Sequence, residues 1–167
     1  FTSLLDLPVT KRHWLGCADC RTALFLAVHK SSNVVDSALW LPYLTADIFT
    51  APSPVNFQLA APLFLALDPS ALQPATRLQY LSSLLARKSE DAIHLLFLAR
   101  FVTRYHMEDA LLQSGFLESQ HHHTALCHVL YALQANQHRL MATRTLILLS
   151  TVKLDPSPCY YALLNKL

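Results

Sequence analysis

An all-α chain of stacked helix-turn-helix repeats is the fold class the sequence predicts, and three observations carry it. Only two glycines stand among 167 residues, too few for the tight turns of a hairpin-rich β protein. Apolar residues recur at three- and four-residue spacings, the period of one helix face. The tetrapeptide Leu-Phe-Leu-Ala occurs three times, beginning at Leu24, Leu63 and Leu96, with a blurred fourth version at Val129-Leu130-Tyr131-Ala132. These starts are 39, 33 and 33 residues apart, and recurrence near 33 is a repeat period. The repeat predicts that Leu24, Leu63 and Leu96 take equivalent buried positions.

The elements follow in order. Residues 1–20 read as an N-terminal cap segment, with Thr10 placed to start a helix after Pro8. Arg21 to Lys30 is the first strong helix, interrupted by Ser31-Ser32-Asn33, and Val34 to Leu41 is its partner. Tyr43 to Pro54 is expected to be an apolar connecting loop with at most one turn of helix, because Pro52 and Pro54 lack the N–H a helix needs. Asn56 to Leu67 carries the second copy and Ala75 to Arg87 its partner. Ser89-Glu90-Asp91 caps Ala92 to Tyr105, followed by a short Met107 to Gln113 helix that Ser114-Gly115 stops. Ser119 to His123 reads as a polar connector before Thr124 to Leu133 and Arg139 to Val152. About four helical-pair repeats thus fill residues 21–152, and residues 153–167 supply a C-terminal capping helix.

These residues resemble the ankyrin repeat, whose period is 33 and whose first helix opens on a Thr-Pro-Leu-His-x-Ala pattern. Thr22-Ala23-Leu24-Phe25-Leu26-Ala27 and Ala61-Pro62-Leu63-Phe64-Leu65-Ala66 keep its Leu and Ala, the second also its Pro. Ala110-Leu111-Leu112-Gln113-Ser114-Gly115 is similar to the family's second helix and closing Gly. The chain departs from the pattern in placing Phe where the family has His, and in lacking the Gly between paired helices. The fourth copy can be framed on Thr124-Ala125-Leu126 or on Val129 to Ala132. Another helical solenoid and a Leu-rich bundle without repeats remain alternatives.

Composition narrows the function classes. The chain is 53% hydrophobic and 14% charged, so it must bury much apolar surface or share it with a partner. Its length suits one domain. The longest apolar run, Val55 to Leu67, is broken by Asn56, Gln58 and Pro62, and no run reaches the roughly 18 to 20 residues of a membrane span. A net charge of +2 is too small for a nucleic-acid binder. Nine His make the charge sensitive to modest acidification. Four Cys make no dense disulfide framework, which points to a reducing, cytoplasmic setting. The chain opens on Phe1 with no basic stretch leading into an apolar one, so no signal peptide is expected.

Chemistry-bearing motifs are sparse. His13, Cys17 and Cys20 offer three of the four ligands a structural zinc takes, and consecutive His121-His122-His123 do not converge on one ion, so no metal is expected. Phosphate-cradling glycine loops and nucleophile-elbow motifs are missing, and Glu90-Asp91 and Glu108-Asp109 suit helix starts better than acid–base work. Neither catalysis nor a cofactor nor a small-molecule substrate is expected. What remains is surface. Stacked pairs of the ankyrin kind imply a concave face that binds another protein, and the polar reach along it comes from Arg87, Lys88, Arg100, Arg104, Tyr105, Glu118, His121 and His122. The expected function is a non-catalytic protein-interaction scaffold. The alternative is a helical adaptor or subunit held permanently in a larger complex.

Overall fold

The computed structural model describes residues 17–30, 37–50, 53–89, 91–132, 135–152 and 158–166. Every element among them is helical. They divide between Gln73 and Pro74 into two compact units, where length alone suggested one domain.

In the first unit, α1 (Ala18–Lys30), α2 (Ser37–Thr45) and α3 (Pro54–Leu65) surround a π-helical turn at Ala46–Thr50, and a 3-10 turn follows at Pro69–Ala71. α1 and α2 both pack on α3, as does the π turn. Pro54 opens α3, where its missing N–H has no helical acceptor to lose, and the Ser53 hydroxyl accepts a 3.2 Å hydrogen bond from the Asn56 N–H. The core is Leu24, Phe25, Leu44, Ile48, Phe57, Ala60 and Phe64, with Phe49 meeting Phe64 edge to face at 5.4 Å.

Where a loop with at most one turn of helix was expected from Tyr43 to Pro54, residues 43–50 are helical throughout. Helix α2 runs through Pro42 to Thr45 and continues into the π turn. Pro42 is exposed, so its cost falls at the surface, while Leu44 and Ile48 stand one turn apart and both go to the core. Burying them decides the conformation over the proline penalty. Residues 18–20, read as part of a cap, form the first turn of α1, while His13 and Trp14 lie outside the described residues.

The second unit comprises α4 (Pro74–Ala86), α5 (Ala92–Arg104), α6 (Glu108–Gln113), a 3-10 turn (Phe116–Glu118), α7 (Gln120–Ala132), α8 (Ala135–Thr151) and α9 (Pro158–Lys166). Its centre is α5, which touches α4, α6, α7 and α8. Leu95, Phe97, Leu98, Ala99, Phe101 and Val102 are all buried, more than one face of that helix. Asp91 caps it by accepting from the Ile93 N–H at 2.9 Å. At its other end Arg144 of α8 donates to the Thr103 carbonyl at 3.1 Å and ion-pairs with Glu108, so a cation meets the negative end of the helix. Gly115 follows α6 at φ +72°, the left-handed backbone that stops a helix at least cost with glycine.

Burial revises the repeat. In the three copies the shared buried residue is the Phe: Phe25, Phe64 and Phe97 are core, whereas Leu63 and Leu96 are only half-buried and Leu24 alone is fully so. Adjacent helical residues lie about 100° apart, and the inward direction passes through the Phe. For the fourth copy burial does not choose between the two frames, since the position of the Phe is buried in both, at Cys127 in the Thr124-Ala125-Leu126 frame and at Leu130 in the Val129 to Ala132 frame.

Candidate functional site

The basic residues predicted from the sequence lie in the second unit but at opposite ends of α5, Arg87 and Lys88 following α4 beside its start and Arg100 and Arg104 in its last turns. Arg87 follows the last residue of α4. It is half-buried, and both terminal guanidinium nitrogens lie out of solvent with no hydrogen-bond partner among the described residues. Burial pulls its pKa down. Lys88 is exposed and takes φ +47°, which turns the chain sharply after its N–H bonds the Leu85 carbonyl at 3.1 Å. Arg100 is half-buried and Arg104 exposed.

His94 sits one turn into α5, with Nδ1 3.7 Å from the Asp91 carboxylate. Burial holds its pKa below the ordinary 6.5, Arg87 adds to the effect, and Asp91 opposes it. The folded state therefore binds this proton less readily than the unfolded one. The stabilising contribution of neutral His94 is complete above pH 6.5 and is lost as pH falls below it. Thermal melts at pH 7.5 and 5.5 should show a smaller acid-induced loss for His94→Gln than for the parent protein. Equal losses would show that this imidazole does not contribute.

Tyr105 leaves the predicted surface. It is 2% exposed, its ring lies 4.9 Å from that of Phe101, and the Arg77 guanidinium sits 5.3 Å above it. Burial raises the phenol pKa, with Arg104 and Arg77 opposing. Its position just past the last turn of α5 puts an aromatic ring over the core where the sequence suggested a solvated end.

The polar connector at Ser119 to His123 is also corrected, because α7 starts at Gln120 and the three His form its first turn. A helix sends consecutive residues in different directions. His121 faces solvent. His122 stacks flat on Phe116 at 4.1 Å and donates from Nδ1 to the Phe116 carbonyl at 3.2 Å. His123 is core: Nε2 faces the Leu149 carbonyl of α8 at 3.4 Å, which leaves Nδ1 to face the Cys127 thiol at 3.9 Å. Glu118 is exposed on the 3-10 turn before them. Among the described residues no three His, Cys, Asp or Glu side chains are grouped to hold a metal ion, and no helix is long and apolar enough to cross a membrane.

The sequence reading missed one polar constellation, in the first unit. Arg21 of α1 donates from Nε and Nη2 to the two oxygens of Asp47, at 2.7 and 3.0 Å. Asn56 of α3 donates to Asp47 at 3.3 Å and to the Ala18 carbonyl at 3.1 Å, while the Thr22 hydroxyl hydrogen-bonds the Asn56 oxygen. Asp47 and Asn56 are both 0% exposed. A lone carboxylate and a lone amide, each inside an apolar stretch, were the available signal, since buried polar groups need partners. The arrangement joins α1, the π turn and α3.

No protein-family model, curated protein or solved structure matches the chain.

Proposed function

We propose that the chain is a non-catalytic protein-interaction scaffold built of ankyrin-like helical pairs, acting in the cytoplasm on an acidic or polar segment of another protein. The order of packing carries this reading. In the second unit α5 packs on α7 and α7 on α9, while α6 packs on α8, and in the first unit α1 packs on α3. First helices following one another, with second helices alongside, suit a stack whose connectors project toward a bound chain. Lys88, Arg100, Arg104 and His121 give those connectors and helix ends a basic character, and four free thiols suit a reducing compartment.

The test is joint replacement of Lys88, Arg100 and Arg104 by Glu. Association with the partner recovered by affinity purification should fall by more than tenfold and weaken with salt in the parent protein. Retention of the same partner at the same affinity by a folded variant would reject this surface.

A second reading, that of a subunit permanently held in a larger complex, draws on α8. Leu140 and Ile147, two turns apart on one face, are 71% and 60% exposed, an apolar stripe that monomeric proteins keep small. Light scattering separates the two, since a scaffold runs as a monomer alone and an obligate subunit self-associates.

A further inference from the structure

The Cys17-x2-Cys20 pair stands at the start of α1 with neither residue fully buried. The Cys17 carbonyl accepts the first backbone hydrogen bond of the helix, from Arg21 N–H at 3.1 Å, which makes Cys17 the N-cap residue. Cys20 stands three residues on, in the first turn of the same helix. Residues three apart in a helical turn have Cα atoms about 5 to 6 Å apart, inside the span of roughly 4.4 to 6.8 Å that a disulfide bridges. Exposure is divided as well: Cys17 is open to solvent and Cys20 half-buried behind it.

We propose that Cys17 and Cys20 form a reversibly oxidised dithiol, in which Cys17 is the attacking thiolate, Cys20 the resolving thiol, and a small-molecule disulfide of the glutathione class the oxidant. The Cys17 thiolate attacks one sulfur of glutathione disulfide, whose S–S bond breaks, and one glutathione thiolate leaves and takes a proton from water. Cys20 then gives up its proton to solvent, and its sulfur attacks Cys17 Sγ. A second glutathione thiolate departs, leaving an intramolecular disulfide. Two electrons and two protons have passed from the protein to two molecules of glutathione. The environment divides the roles in the same sense. The Cys20 and Asp19 N–H groups, then the Cys20 thiol, lower the Cys17 pKa, while donation to Cys17 and then burial raise that of Cys20. Asp19 opposes ionisation of both sulfurs, and Arg21, held on Asp47, favours that of Cys20. The other two thiols lack this setting, since Cys127 is buried and burial raises Cys159.

The experiment equilibrates the full chain in buffers of graded glutathione to glutathione disulfide ratio, quenches it with acid, alkylates free thiols and maps them by peptide mass spectrometry. A Cys17–Cys20 disulfide should form and reverse across the series. In the reduced protein iodoacetamide should modify Cys17 about tenfold or more faster than Cys159 at neutral pH. Cys20→Ser should trap glutathione on Cys17, and Cys17→Ser should abolish both products, with circular dichroism confirming that each variant is folded. No Cys17–Cys20 disulfide at any ratio, or a Cys17 alkylation rate equal to that of the urea-unfolded chain, would overturn the proposal.

Discussion

Asp47→Ala is expected to destabilise the first unit by about 3 to 5 kcal/mol, the cost of removing one member of a buried ion pair and stranding the other. The loss exceeds that of an average contact because Arg21 and Asn56 both aim their donors at this carboxylate. Urea unfolding followed by tryptophan fluorescence is a selective readout, since the chain's two Trp, Trp14 and Trp40, both precede the division at Gln73. The midpoint should fall steeply for Asp47→Ala and less for Asp47→Asn, which keeps the shape and one acceptor oxygen. Replacing Arg21 and Asp47 together by Met and Leu should recover much of the loss, because an apolar pair strands no charge. An unchanged midpoint in Asp47→Ala would show that the network contributes nothing net.

The second large effect concerns the repeated tetrapeptide. Phe25→Ala, Phe64→Ala and Phe97→Ala should each cost about 3 to 5 kcal/mol, through lost transfer energy plus the cavity left behind. Leu63→Ala and Leu96→Ala should cost visibly less, since those side chains are only half-buried. Where an Ala variant is too unstable to purify, Phe→Leu at the same position preserves the ranking with a smaller loss. The comparison is of denaturant midpoints at constant slope. A Leu63 or Leu96 variant as damaging as its Phe neighbour would return the inward direction to the Leu.

Much of the helical layout was legible because it rests on local chemistry. Asp91 caps α5, Asp68 accepts from the Ser70 N–H at 2.8 Å after α3, and Gly115 ends the α6 turn; each is a residue whose side chain, or lack of one, acts within a few positions. The misreadings share the opposite cause. At residues 43–50 the prolines read as a loop signal, Pro52 and Pro54, follow in sequence, and the helix continues past Pro42 because Leu44 and Ile48 are buried. At His121 to His123 three identical polar residues hid three different fates, because what distinguishes them is the helix direction each takes. The predicted surface was legible as charge, in Lys88 and Arg104, and illegible as depth: nothing in the order of residues tells that Tyr105 turns inward or that the Arg87 nitrogens are covered. The Arg21, Asp47 and Asn56 network needs three segments brought together, and periodicity describes one segment at a time.

Helix α5, touched by four other helices, has a consequence for how the second unit opens. Amides on a helix so enclosed exchange with water only when the whole unit comes apart, whereas elements with fewer neighbours fray separately and cheaply. The basic side chains at its far end, Arg100 and Arg104, are therefore mounted on the last part of the unit to loosen. A partner bound there, as proposed above, would hold a rigid post while the turns around it breathe, and its departure would be timed by the contacts it makes there rather than by fluctuations of its host.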